Sequence, residues 1–171
     1  MKHLFLLTLF FSFSLASLAQ INSFKADFTQ NITDEKNTTL SYDGNIRALK
    51  PQNALWVYSK PFIKYVYISS RAITIIEPEI EQVIIKKIDS KLDFFNMIKN
   101  AQKIGNNIYE ANYAGSKFNI KTENKVLKSI SYVDEFENSV EIIFMNQEQN
   151  ILIDEKIFIP LIPLEYDIIN D

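Results

Sequence analysis

Ser23-Phe24-Lys25-Ala26-Asp27-Phe28-Thr29-Gln30-Asn31-Ile32-Thr33-Asp34 divides by parity into two sets. Phe24, Ala26, Phe28, Gln30 and Ile32 fall on one side, and Lys25, Asp27, Thr29, Asn31 and Thr33 on the other. Side chains alternate across a strand with a period of two, so this is a strand with one greasy face and one wet face. The pattern returns at once, because Leu40, Tyr42, Gly44, Ile46 and Ala48 alternate with Ser41, Asp43, Asn45 and Arg47. Asp34-Glu35-Lys36-Asn37 between them is polar turn chemistry, and the two runs are predicted to form an antiparallel hairpin. Two strands with matching faces begin a sheet that is covered on one side and solvated on the other.

Further strands follow. Ala54-Leu55-Trp56-Val57-Tyr58 ends at Ser59-Lys60-Pro61, and Ile63, Tyr65 and Tyr67 then alternate with Lys64, Val66 and Ile68. Residues 72–77 and 82–88 read as the next two strands, broken by Pro78, which cannot continue a ladder. Several of these runs are apolar on both faces, which calls for a cover on each side of the sheet. The period changes in residues 89–101: Ser90 with Asp93 three residues on gives a capping-box pattern, and Leu92, Phe95, Ile98 and Ala101 recur at helical spacing beside Phe94 and Met97. Strand patterns resume over 108–114, 117–122, 126–133 and 140–145, and 157–160 and 164–169 read as closing strands. The expectation is one mainly β domain of about ten strands with a single central helix, over residues 90–101.

Residues 1–19 are of a different kind. Lys2 supplies a positive start, residues 4–18 are apolar and rich in Leu and Phe, and Ser17-Leu18-Ala19 is a small-x-small cleavage pattern. The run is shorter than the roughly 20 residues that span a bilayer, so it reads as a signal peptide cleaved after Ala19, leaving an exported, soluble domain of residues 20–171. The absence of any cysteine excludes a lipid anchor on that domain and leaves its stability to the core alone.

Composition narrows the chemistry. The 18 basic and 21 acidic residues give a net charge of −3, which falls to −4 once Lys2 is removed, and nothing in that balance points to a nucleic-acid partner. The single histidine, His3, leaves with the signal peptide. The remaining chain has no imidazole base, no thiolate and no His/Cys metal set, so no catalytic residue, metal or cofactor is expected. A carboxylate enzyme built on Glu77, Glu79 and Glu81 is the one catalytic alternative, and a solvated edge explains those residues as well. The aromatic and aliphatic inner face has two readings, a solid core or an apolar cavity, and periodicity alone does not separate them.

An ordered set of motifs carries a family resemblance. Ser23-Phe24-x-Ala26-x-Phe28-x-Gln30, Gly44-Asn45-Ile46, Lys50-Pro51, Trp56-Val57-Tyr58, Lys60-Pro61 and Glu77-Pro78-Glu79-Ile80-Glu81-Gln82-Val83 together resemble the periplasmic outer-membrane lipoprotein carriers of the LolA family. The resemblance implies an α+β, mainly β fold: an open, strongly curved antiparallel sheet, an incomplete β-barrel, with a helical lid on its concave face. It implies an acyl-chain cavity from Phe28, Leu40, Tyr42, Ile46, Trp56, Tyr58, Tyr65 and Tyr67, and a lid from Leu92, Phe94, Phe95, Met97 and Ile98. Acylated lipoproteins would be the cargo, an inner-membrane lipoprotein-releasing ABC transporter the donor and an outer-membrane lipoprotein receptor a further partner, with the carrier a periplasmic monomer. A sensing module of the same fold and a binder of small hydrophobic ligands are the alternatives.

Two departures from the family pattern stand out. Lys50 occupies the place of an arginine that latches the lid, where it acts either as a weaker latch or as a solvated loop cation. After cleavage only Gln20-Ile21-Asn22 precedes the first strand, so the helix expected there is missing.

Overall fold

The computed structural model describes residues 18–88, 94–113 and 115–170. The signal segment through Ser17, the Ser90 cap with Asp93, and Leu92 lie outside the described residues. The elements are β1 (Ser23–Thr33), β2 (Thr39–Leu49), β3 (Asn53–Lys60), β4 (Lys64–Ile68), β5 (Ala72–Glu77), β6 (Gln82–Lys87), α1 (Phe94–Lys99), β7 (Gln102–Gly105), β8 (Ile108–Tyr113), β9 (Ser116–Glu123), β10 (Val126–Val133), β11 (Ser139–Gln149) and β12 (Asp167–Asn170). All twelve strands share one sheet in the order β12-β6-β5-β4-β3-β2-β1-β11-β10-β9-β8-β7. Its terminal strands do not pair with each other, so this curved sheet stays open.

The hairpin read from the first stretch is the centre of that sheet. β1 pairs with β2 on one side and β11 on the other, with Phe28 opposite both Gly44 and Phe144. Gly44 is glycine for a reason of space: a Cβ there would strike the carbonyl oxygen of Val57 and stand 2.8 Å from the Phe28 ring. The inner face of β1 and β2 supplies Phe24, Ala26, Phe28, Ile46 and Ala48 to one buried cluster, joined by Ile120, Leu127, Ile130, Val140 and Phe144 from the far half of the sheet. Each fully buried Val, Leu, Ile or Phe side chain among these is worth roughly 1.5–3 kcal/mol. Phe95, Met97 and Ile98 belong to the same cluster, which fixes α1 against the inner face.

On the outer face the two halves of β1–β6 differ. Over β1, β2 and β11 it is wet, with Lys25 bonded to Glu148 at 2.6 Å and Thr29 to Asp43 at 2.8 Å. Over β3–β6 it is apolar, and Leu55, Ile76 and Val83 are buried outside the inner cluster. The C-terminal segment covers them. It leaves β11 where Ser23 Oγ donates to the Ile151 carbonyl at 2.6 Å, and it packs the 3₁₀ turn Glu155–Phe158 against β3 with Phe158 buried. It ends where the Asp167 amide donates to the Glu81 carbonyl at 2.9 Å and β12 runs beside β6.

Several expectations need correction. The strand β7 was not expected, since its exposed residues carry no apolar alternation. The segment 157–160 is not a closing strand, because Pro160 and Pro163 lack ladder donors and its apolar side chains serve as a cover. The sheet is not wholly antiparallel either, as β12 pairs with β6 in parallel. The described helix ends at Lys99, two residues short of the expected 101. Ahead of β1, among the described residues, a 3₁₀ turn, Leu18–Gln20, packs against α1 with Leu18 buried; two of its three residues precede the expected cleavage site.

Candidate functional site

Between α1 and the inner face lies a cavity of about 300 Å³. Its origin is a register accident that the sequence specifies: Ala48 of β2 stands opposite Ala54 of β3, next to the larger pair Ile46 and Trp56. Two methyl groups cannot fill the space that neighbouring large side chains hold open, and the room is left under the helix. Phe95 and Met97 descend from α1, Ile68 and Ile73 close one side, and Tyr113, Phe118, Ile130, Tyr132 and Ile142 close the other. Met97 suits such a wall because an unbranched thioether adapts to irregular contents.

Aromatic packing holds the lining still. The Phe28 ring meets Trp56 edge-on at 5.0 Å and Tyr58 edge-on at 5.1 Å, and Phe144 packs against Phe24 at 5.3 Å. Beyond Trp56 the inner face turns polar. Tyr58 Oη donates to Gln30 Oε1 at 2.8 Å, Tyr42 lies edge-on to Tyr58 at 5.8 Å, and Lys64 Nζ sits 4.6 Å from the Tyr58 ring centre and 5.5 Å from that of Tyr42. Burial, aided by Tyr132 and Tyr42 nearby, pushes the Tyr58 phenol well above its ordinary range. Burial, and then the Asp134 carboxylate, raises Tyr132 in the same direction.

The structure sorts the residues named from sequence into several groups. Ile46, Trp56, Phe95 and Met97 line the cavity. Phe28 and Ile98 are buried behind it and do not line it. Tyr42 and Tyr58 do not line it but lie beyond Trp56 against Lys64, and Leu40, 47% exposed, lies further out on β2. Tyr65 and Tyr67 are on the wrong face: Tyr65 is opposite Val57 and Ile76, and Tyr67 opposite Leu55 and Thr74, all on the outer side of the sheet. Leu92 and the side chain of Phe94 lie outside the described residues. Lys50 is beside the helix, with Nζ 3.0 Å from Asn22 Oδ1 and 5.9 Å from the centre of the Phe95 ring.

Sequence reasoning missed the far wall, although Phe118 with Ile120 and Ile130 with Tyr132 show the same period-two signal as β1. It also missed Ala48 and Ala54, whose small size on an inner-face parity was the available clue. Among the described residues no group of three or more His, Cys, Asp or Glu could hold a metal, and no helix is long and apolar enough to cross a membrane.

An open sheet with an apolar cavity roofed by one helix has the form of a site for an apolar ligand. Comparison with known proteins specifies the family. The family model of the outer membrane lipoprotein carrier protein LolA matches residues 19–107. The chain is 38% identical to an outer-membrane lipoprotein carrier protein of Campylobacter jejuni, covering 99% of this chain and 100% of that one. It is 30% identical to the protein of the same name from Wolinella succinogenes, over 94% of each. Among solved structures, an uncharacterized conserved protein from Thermus thermophilus shares the fold with a TM-score of 0.56 at 9% identity, covering 90% of this chain and 93% of that one. The chain belongs to the LolA family of outer-membrane lipoprotein carrier proteins.

Proposed function

We propose that the chain carries lipoproteins to the outer membrane, taking their acyl chains into the cavity under α1. The observation that supports this most directly is the cavity itself, which lies between Ala48, Ala54 and Trp56 on one side and Phe95 and Met97 on the other in a chain of this family. The energetics require such a lining. Burial of an acyl chain is worth ~0.8 kcal/mol per CH₂, so an acylated protein does not cross water unaided. The carrier replaces water with side chains and returns the chain to a bilayer without any covalent step.

A cavity of about 300 Å³ is at the lower end of ligand sites, so a cargo with several chains requires α1 to lift. Phe95 and Met97 then act as the lid, with Lys50 as its latch on the Phe95 side. In this reading the domain of residues 20–171 works in the periplasm as a monomer after cleavage behind Ala19. It receives cargo from an inner-membrane lipoprotein-releasing ABC transporter and delivers it to the outer membrane, by way of a lipoprotein receptor where one is present. Uptake of a fluorescent fatty acid by purified residues 20–171, followed by transfer of one acylated cargo to acceptor vesicles, tests the proposal. A protein that takes up no fatty acid has a solid core and is no carrier.

A further inference from the structure

We infer that the inner face carries a second, polar subsite, in which Lys64, held over the rings of Tyr42 and Tyr58, receives the oxygen-bearing head of an acyl ligand and so fixes the direction in which its chain lies. The inference rests on the carrier reading and adds an orientation to it.

Register places the subsite on the same face as the cavity. Lys64 stands opposite Tyr58, two residues along β3 from Trp56, which lines the cavity, and four from Ala54. At strand spacing that is a path of roughly 13 Å from Ala54 to the Lys64 row. The intervening surface is continuous, because Phe28 packs edge-on against both Trp56 and Tyr58. Gln52, Asn53, Tyr113 and Tyr132 are the polar residues of the cavity itself, and a chain that runs from under α1 past Trp56 meets the ammonium of Lys64 at the far end of this path.

Those groups are suited to an acceptor. An ammonium has three donors and no acceptor. Among the described residues the partners of Lys64 are two ring faces, at 4.6 and 5.5 Å, and it forms no ion pair. Ring faces attract the cation but accept none of its hydrogen bonds in the way an oxygen does. Tyr58 spends its own proton on Gln30, which fixes the ring under the ammonium. A carboxylate or an ester or amide carbonyl would accept from Lys64 while its chain stays in the apolar part, whereas a cationic head would be repelled. The recognised chemistry is thus an oxygen acceptor at the end of a long chain, whether the carboxylate of a free lipid or the neutral acyl ester of a lipidated protein.

Trp56 is the single tryptophan and lines the cavity, so its emission reports occupancy without a label. Purified residues 20–171 are titrated with palmitate, monopalmitoylglycerol and hexadecyltrimethylammonium, and the same three are run on Lys64→Gln and Lys64→Glu, with thermal melts confirming that each variant is folded. The expected result is that palmitate and monopalmitoylglycerol half-saturate the protein at concentrations about tenfold below that of the ammonium amphiphile. Lys64→Gln should bring the three together, and Lys64→Glu should reverse the order. Tighter binding of palmitate than of monopalmitoylglycerol assigns the subsite to anionic lipids, and equal binding assigns it to neutral acyl esters. Equal binding of all three by the wild type, or a preference that survives both substitutions, overturns the subsite and leaves the carrier reading standing. Failure of every ligand to bind the wild type overturns both.

Discussion

The inner and outer faces of strands β3–β6 are both apolar, yet they are finished differently. The outer face is closed by the protein's own C-terminal segment: Phe158 is buried there with Leu55, Ile76 and Val83, and the segment is tied at both ends by backbone bonds, Asn150 to Ser23 and Asp167 to Glu81, each 2.9 Å. The inner face is closed by α1, described over Phe94–Lys99, which leaves a space beneath it. In the carrier reading proposed above, the strap, fixed at two ends, keeps its core shut, and α1 is the cover that lifts. Where the two faces of a sheet are equally apolar, the nature of the cover decides which one can bind.

The largest effect should come from removing the pillar of the inner face. Phe28 is 1% exposed and supports Trp56 and Tyr58 together. Phe28→Ala is expected to lower unfolding free energy by about 3–5 kcal/mol. Denaturant titration measures this, and a loss below about 1 kcal/mol would mean that the pillar is replaceable.

A second pair of substitutions separates the faces. Phe158→Ala should remove about 2 kcal/mol from the strap core and leave fatty-acid affinity unchanged. Ala54→Phe should do the opposite, filling the cavity and weakening affinity by about tenfold or more at a stability change of about 1–3 kcal/mol. If Phe158→Ala weakens the ligand as much as Ala54→Phe does, the two cores are coupled and the distinction between covers is wrong.

The faces should also separate in alkali. Tyr58 and Tyr132 of the inner face are held protonated by burial. A phenol with a raised folded pKa contributes stability that is complete below its unfolded value, near 10. Above that pH the unfolded chain ionises first, so stability falls as pH rises toward the folded value. Tyr58→Phe should flatten the decline between about pH 10 and 11, and an unchanged slope would show that Tyr58 is not protected in solution.

These differences explain what could be read from the chain alone. The hairpin of β1 and β2 was legible because one of its faces is wet, so parity names the buried side without ambiguity: Lys25, Asp27, Asn45 and Arg47 leave no choice for Phe24, Phe28 and Ile46. β4 offered no such contrast. Lys64-Tyr65-Val66-Tyr67-Ile68 is apolar or aromatic on both parities, and the tyrosines looked like lining by size, while the pairing of Tyr58 with Lys64 turns Val66 and Ile68 inward instead. Residues 157–160 of the strap were misread for the same reason, since they have the composition of a strand and serve as the cover of one. The cavity depends on the Ala48–Ala54 pairing, a fact of register between strands that composition does not hold.

The smallest expected effect concerns the edge of the movable cover. Lys50 reaches Asn22 with its ammonium and its backbone amide, at 3.0 and 2.9 Å, and lies 5.9 Å from the Phe95 ring, so it touches both the segment ahead of β1 and the helix. An ammonium there is a point donor and a moderate cation–π partner. A guanidinium in the same place keeps the charge, stacks flat on the ring and donates in parallel to two oxygens, which are the stronger bonds. Lys50→Arg is therefore expected to favour the closed helix by about 1 kcal/mol, roughly a fivefold shift in the open population. Cargo should then leave about fivefold more slowly in a transfer assay, with the melting temperature almost unchanged because the strap core and the hairpin are untouched. Lys50→Ala should act in the opposite direction by removing the charge from Phe95. Equal release rates for wild type, Lys50→Arg and Lys50→Ala would assign the hold on the cavity to the packing of Phe95, Met97 and Ile98 alone, and the inner cover would then be a plug held by apolar contact, closer in kind to the outer strap than to a latched lid.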